Sequence, residues 1–375
     1  MEIRAERSLL VDALKTVSRS LTLRSSVGQL AGLVCLTATD SSLNLLTTDL
    51  DTATSCSIPV AVNIAGKCVV ASRLLADVTA SLSDGSISLS VEDGMLVVSN
   101  SESKFRLRFV DSDEFPPISF PTGDTIHINR LELSKCLKQV LKAASKDDSR
   151  PILTSVSISK IDEGLQFIST DSYRLAFTRA TCDNVDLLEN KKILLPARVL
   201  SDVVRYVSQS TGSSATDDTV SIYVSDNDAV ISFDNVKMFT RLVDGKFPSF
   251  ESVTTQEYNN LLTVDRTRFA ESVKRVALLA RDNASKVNIE CMDDHVILSV
   301  HSPQVGDAEE TLPAKFIGDQ YIHIAFNPAF LLDGIEVLSG ANVAIKFHDD
   351  KMAALISSDD DTDFQYYLMP IRIKS

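Results

Sequence analysis

The sequence predicts an α+β fold of three similar domains in series, each built from two helices packed on β-sheet, and three repeated features predict it. The first is a helical phrase with apolar residues at i, i+4 and i+7, a spacing that gathers them on one face of a helix. The phrase gives Leu10/Leu14/Val17, Leu133/Leu137/Val140 and Phe269/Val273/Val276. Its copies lie roughly 120 to 140 residues apart, too far for a solenoid and about the size of a whole domain. Three such domains point toward a ring or an arch.

The second feature is a shorter helical phrase later in each copy: Arg73-Leu74-Leu75-Ala76-Asp77-Val78, Arg198-Val199-Leu200-Ser201-Asp202-Val203 and Phe330-Leu331-Leu332-Asp333-Gly334-Ile335. The third is alternating strand text between the two helices. It reads Leu43-Asn44-Leu45-Leu46-Thr47-Thr48-Asp49, then Leu165-Gln166-Phe167-Ile168-Ser169-Thr170-Asp171, with a looser echo at Val296-Ile297-Leu298-Ser299-Val300-His301-Ser302. Phe115-Pro116 and Phe247-Pro248 close the first two copies and Met369-Pro370 takes that place in the third. A proline there predicts an exit from an edge strand, because it cannot donate to a ladder. Domains are accordingly expected over 1–123, 124–257 and 258–375.

With 375 residues, 44% of them hydrophobic, the chain has enough apolar material for several cores. The charged N-terminus lacks a signal-peptide core, and no apolar run reaches the length of a membrane span, so a cytoplasmic protein without a membrane partner is expected. The six scattered cysteines form no CxxC pair and are expected to be reduced core thiols.

Catalytic signatures are missing from the sequence. No GxG spacing occurs, the Gly-Lys pairs at Gly66-Lys67 and Gly245-Lys246 do not complete a phosphate loop, and the five histidines form no HExxH pair. No GxSxG elbow exists. Acidic runs such as Asp359-Asp360-Asp361 predict solvated loops rather than a metal site, which needs several converging oxygens. No cofactor, metal or catalytic residue is expected.

The net charge of −14 argues against a protein that grips nucleic acid with its whole surface, but the cations are concentrated on helices. Lys135, Lys138 and Lys142 fall at i, i+3 and i+7. Arg7, Lys15 and Arg19 lie along the first helix, while Arg268, Lys274, Arg275 and Arg281 follow the third. Helices that pack by one face and offer positive charge on another would meet phosphates without reading bases if they lined a shared space.

Four phrases in order, Thr170-Asp171-Ser172-Tyr173-Arg174-Leu175-Ala176, Leu242-Val243-Asp244-Gly245-Lys246-Phe247-Pro248, Phe326-Asn327 and Leu368-Met369-Pro370-Ile371-Arg372-Ile373, resemble the bacterial sliding clamp family, the beta subunit of DNA polymerase III. The resemblance spans essentially the whole chain. It implies a non-catalytic processivity factor: a head-to-tail homodimeric ring, helices inside and sheets outside, threaded by double-stranded DNA without sequence preference. It also implies nucleoid association during replication and tethering of the replicative polymerase, the clamp loader and other proteins with clamp-binding motifs. By residue-wise likeness Arg24, Arg73, Lys146, Arg150, Arg198 and Arg205 face DNA, joined by the helix cations Lys135, Lys138 and Lys142. Pro151 and Ile152 stand where many clamps carry a tyrosine pair, which removes an aromatic contact from that loop.

The same likeness implies a peptide groove of Leu153, Thr170, Ser172, Tyr173, Arg174, Leu175, Pro248, Val253, Asn327, Phe330, Met352, Ala354, Met369, Pro370, Ile371 and Arg372. Its apolar walls would accept Leu and Phe anchors, with Arg174, Asn327 and Arg372 orienting polar groups. Ser252 replaces an arginine found in several relatives. The dimer seam is expected to join Phe105 and Leu107 to Leu278 and Leu279, with Asp307, Glu309 and Glu310 facing Arg73 or Arg106. An enzyme built on Asp171, Tyr173 and Arg174, or a peptide-binding scaffold that does not bind DNA, are the alternatives.

Overall fold

The computed structural model describes residues 1–18, 32–110, 115–162, 164–189, 191–209, 218–280, 286–303, 305–318 and 322–372. Its element order repeats one plan three times: a strand and a helix, four strands, a second helix, then three strands. The first copy is β1 (Glu2–Glu6), α1 (Arg7–Ser18), β2 (Leu33–Thr39), β3 (Ser42–Thr48), β4 (Thr52–Pro59), an extra β5 (Ala61–Ile64), β6 (Gly66–Ala71), α2 (Ser72–Ser81), β7 (Ser86–Glu92), β8 (Met95–Ser99) and β9 (Lys104–Arg108). The second is β10 (Thr125–Asn129), α3 (Arg130–Val140), β11 (Ser155–Ile161), β12 (Gly164–Thr170), β13 (Arg174–Asp183), β14 (Lys192–Pro196), α4 (Ala197–Gln209), β15 (Thr219–Val224), β16 (Asp228–Phe233) and β17 (Val236–Arg241). After a short α5 (Glu251–Thr254) comes the third: β18 (Asn260–Asp265), α6 (Arg266–Val276), β19 (Val287–Cys291), β20 (His295–Ser302), β21 (Gly306–Ile317), β22 (Ile322–Phe326), α7 (Pro328–Glu336), β23 (Asn342–Phe347), β24 (Ala354–Ser358) and β25 (Asp361–Leu368).

These elements gather into two compact units, residues 1–131 with 202–242 and residues 132–201 with 243–375, so the middle repeat is divided between them. In the first unit the ladders run β5-β1-β7-β8-β9 and β6-β2-β3-β4-β17-β16-β15-β10, all antiparallel. In the second they run β14-β11-β12-β13-β25-β24-β23-β18-β21 and β22-β19-β20-β21. Consecutive repeats are therefore fused through main-chain hydrogen bonds, β4 to β17 and β13 to β25.

All nine residues of the i, i+4, i+7 triples are buried, from Leu10 on α1 to Val276 on α6. Each such side chain contributes roughly 1.5–3 kcal/mol when taken out of water, which is what holds a three-turn helix that would be marginal alone. An arginine opens the first helix of every copy, and its N–H donates to a loop carbonyl: Arg7 to Gly85, Arg130 to Asp218, Arg266 to Ala341. Arg7 also binds the carbonyls of Thr79 and Ala80 at the end of α2, and pairs with Asp84 at 2.5 Å, so it is a helix-end brace and not an open cation.

The hairpin turns of the first two copies match atom for atom. Thr48 Oγ1 donates to the Thr52 carbonyl and Leu50 N–H donates to Thr48 Oγ1, just as Thr170 Oγ1 and Ser172 N–H act around Arg174. Leu50 and Ser172 sit at φ 78° and 82°, a left-handed conformation that costs a non-glycine residue strain and is held here by these bonds.

The expectation of an edge-strand exit at Met369-Pro370 is corrected. β25 is interior, paired to β13 on one side and β24 on the other, and Pro370 falls two residues past its end. The six cysteines are free thiols, buried except for the half-buried Cys182. Desolvation pushes them up, Cys56 to about 11, so they stay protonated and inert.

Candidate functional site

The join of β13 to β25 builds a floor, and the segment after β17 builds a wall. Phe247, Phe250, Val253 and Tyr258 from that segment pack on Ile168, Leu175, Phe177, Leu355 and Tyr367. Packing is incomplete and leaves a cavity of about 240 Å³ lined by Thr170, Ser172, Tyr173, Arg174, Leu175, Pro248, Ser249, Phe250, Val253, Ala353, Tyr367 and Met369. Leu175 lies opposite Tyr367 in the ladder, which makes the floor apolar. Tyr173 and Met369 stand exposed at its mouth, joined by the Met369 N–H donating to the Tyr173 carbonyl. Apolar walls with a few fixed polar groups suit side-chain anchors of an extended peptide.

Arg174 forms the polar end of this groove and is almost fully spent within it. Its Nε donates to Asp171 at 2.9 Å, and its Nη1 donates to Asp333 at 2.7 Å and to the Tyr366 hydroxyl at 3.2 Å. The guanidinium lies 4.1 Å from the centre of the Phe330 ring. Burial works against its charge, but Tyr366 and the two aspartates raise its pKa further still. Asp333 in turn accepts from Lys142 at 2.9 Å, and Glu336 pairs with Lys274 at 2.8 Å. Gly334 allows this arrangement, because a Cβ there would stand 2.5 Å from the Tyr366 ring.

Of the expected groove residues, Thr170, Ser172, Tyr173, Arg174, Leu175, Pro248, Val253 and Met369 line the cavity. Others have different roles. Ala354 is fully buried in the β24 ladder opposite Leu368 and offers the cavity nothing; its neighbour Ala353 takes the place expected of Met352 and Ala354, since side chains alternate along the strand. Asn327 caps α7, accepting from Ala329 and Phe330 N–H, so its oxygen is committed. Phe330 supports Arg174, and Leu153 is buried after the turn that follows Arg150. Ile371 donates its N–H to Ala325, which fixes Pro370 and the exposed Arg372 beside the mouth. Sequence reasoning missed Ser249, Phe250 and Tyr367. The signal for Phe250 was its place next to the Phe247-Pro248 phrase.

The cation stripe of α3 is also corrected. Lys135 binds Asp361 at 2.8 Å, Gln139 binds the same carboxylate at 2.7 Å, and Lys142 binds Asp333. Positions 135, 139 and 142 face the third repeat, where the Asp361 side chain is 1% exposed, so they clasp two repeats instead of presenting charge to solvent. Lys138 falls outside that arc and is exposed, as are Lys146, Arg73 and Arg198. Arg150 and Arg205 are exposed but pair with Asp147 and Asp202 three residues away; the Arg150 contact is worth little in solvent, whereas the Asp202 carboxylate is buried. On α6, Lys274 and Arg275 pair with Glu336 and Glu310. Arg24, Arg19 and Arg281 lie outside the described residues.

At the expected seam, Leu278 is 62% exposed and Phe105 is 37% exposed, whereas Leu107 is 7% exposed and belongs to its own sheet. Glu310 is held by Arg275 with two hydrogen bonds, and Asp307 contacts His301.

Repeated domains fused through continuous sheets, with exposed helix cations and a peptide-sized groove, define a multidomain binding scaffold. Family models for the DNA polymerase III beta subunit match the chain over its length: the N-terminal domain at residues 1–119, the central domain at 127–249 and the C-terminal domain at 251–372. The chain belongs to this family. It is 29% identical to the beta sliding clamp of Streptomyces coelicolor and 24% identical to that of Bacillus subtilis, across 100% and 99% of this chain and all of each relative. Among solved structures it is similar to the sliding clamp from Bartonella birtlesii bound to griselimycin, at 26% identity and TM-score 0.93, and to the clamp from Bacillus subtilis at TM-score 0.91, each covering the full length of both chains. The family consists of non-catalytic processivity factors of DNA replication, and the chain shares that role.

Proposed function

We propose that two copies of this chain close head to tail into a ring around double-stranded DNA and tether the polymerase through the groove beside Arg174. One observation carries the ring. In each repeat the fourth strand of the plan pairs with the last strand of the next repeat: β4 with β17, β13 with β25. Among the described residues the two strands left over by this rule, residues 306–313 of β21 and the whole of β9, each have a single ladder partner, β20 and β8. An intermolecular β9 to β21 pairing repeats the internal joint and uses up both open edges. Arg106 and Arg108 on one edge complement Asp307 and Glu309 on the other. Phe105 and Leu278 supply apolar contact, with Leu279 half-buried behind.

Domain limits at 1–123, 124–257 and 258–375 fit the start of a new repeat at β10 and at β18. The exposed cations Lys138, Arg73, Arg198 and Arg205 on helices and Lys146 in the loop after α3, with Arg24 and Arg150, meet phosphates, while Lys135 and Lys142 serve the clasp. The groove takes short peptides of the replicative polymerase, the clamp loader and other partners. Such a protein works in the cytoplasm at the nucleoid during replication; none of the described helices is long and apolar enough to cross a membrane.

Replacing Leu278 by Ala should move the dimer toward monomer by about 2 kcal/mol, the apolar area of one leucine withdrawn from a partner contact. Sedimentation reads this, and an unshifted dimer at nanomolar protein rejects the seam. Lys138→Glu with Arg205→Glu should shorten retention on DNA of any sequence and flatten its salt dependence, because phosphate contacts carry no base information. An effect confined to one sequence argues for base readout instead.

A further inference from the structure

A wider basin of about 990 Å³ adjoins the described cavity, and Phe250 lines both. Leu175, Phe177 and Arg179 alternate along one face of β13, so the path from apolar floor to basin spans about 13 Å, four residues of extended chain. Cross-strand partners grade in the same direction. Leu175 faces Tyr367, Phe177 faces Gln365 and Ile168, and Arg179 faces Gln166. The last row runs on in register through Ser159 to Lys192 on β14. Every member of that row, Lys192, Ser159, Gln166 and Arg179, lines the basin.

We infer that this row is a second subsite for the same partner segment and that it takes carboxylates flanking the apolar anchors, an inference that rests on the peptide-groove reading above. Charge supports the choice. The chain carries −14 overall, yet the basin gathers Lys160, Arg179, Lys191 and Lys192 against Asp162, Glu189 and Glu251. Of these, Lys160 is already held by Asp186 and Glu189, whereas Arg179 rests over the Phe177 ring at 5.2 Å with its guanidinium exposed. Arg179 and Lys192 close the two ends of a row whose middle members, Ser159 and Gln166, donate hydrogen bonds to a carboxylate equally well. Glu251 beside Lys192 sets a boundary, since it disfavours an acid placed against α5.

The test uses full-length protein and three synthetic peptides sharing one pair of Leu and Phe anchors: unflanked, with three glutamates after the anchors, and with three glutamates before them. Fluorescence polarisation should show one acidic peptide binding about three- to tenfold more tightly than the unflanked one, the worth of one or two exposed ion pairs. The advantage should vanish in Arg179→Glu with Lys192→Glu, and at high salt, while the unflanked peptide binds that variant as it binds the parent. Equal affinity of all three peptides overturns the subsite and leaves the groove standing. An equal gain from either flank also overturns it, since that is general attraction without a site. Failure of the unflanked peptide to bind the parent protein overturns the groove and the subsite together.

Discussion

Arg174→Ala is expected to lower the stability of the protein by about 3 kcal/mol and to weaken peptide binding with it, because removing one partner of a buried ion pair leaves the others uncompensated. Such losses cost about 3–5 kcal/mol, and this one falls at the low end. The Arg174 side chain is 7% exposed, but Asp333 is 29% exposed and keeps Lys142, which limits the damage. The loss carries a pH signature. Burial works to raise the Asp333 carboxyl, but the hydrogen bonds and charge of Arg174 and Lys142 outweigh it and hold the group below its ordinary value of 3.8. A carboxylate depressed in the folded state adds stability at pH above its unfolded value and loses it as pH falls through the folded value. Denaturant titration should therefore show parent and variant far apart at neutral pH and converging below about pH 4. Parallel curves across that range would remove the ion network from the account.

Deleting residues 369–375 is expected to abolish peptide binding while the dimer persists. Met369 is the exposed lip of the groove, and the bonds from Met369 to Tyr173 and from Ile371 to Ala325 are what hold this segment beside it. The ladder of β25 is complete at Leu368, so the sheet keeps its register without them. A peptide with Leu and Phe anchors should bind the intact protein at micromolar affinity, about −8 kcal/mol, as befits a segment that must be ordered on binding. Met369→Ala, which removes no main-chain bond, should weaken it by several-fold. Undiminished affinity in both variants, measured by calorimetry, means that the groove lies elsewhere.

The repeats were legible because they are written in local pattern. Nine apolar residues at i, i+4 and i+7 had to be buried in any fold that used those helices, and they are. What the sequence hid lies in long-range pairing. Lys135 and Lys142 read as an open cation stripe, since helical periodicity says which residues share a face and not what that face meets. Their partners Asp361 and Asp333 lie about two hundred residues on and only the fold brings them near. Ala354 was misplaced for a related reason: neighbouring positions in extended chain face opposite ways, and the pattern leaves open whether 353 or 354 meets the cavity. The arginine that opens each first helix, at positions 7, 130 and 266, stood in plain view three residues before the first apolar residue of each triple.

In the proposed ring, attachment to DNA is topological, with weak and interchangeable phosphate contacts. Retention on circular duplex tests it most directly. Protein loaded onto a nicked circle should stay bound through a gel-filtration column and leave when one restriction cut makes the circle linear, at constant salt and protein. Equal retention on the circle and on its linear form would contradict the account, since contact strength does not depend on whether the DNA has ends.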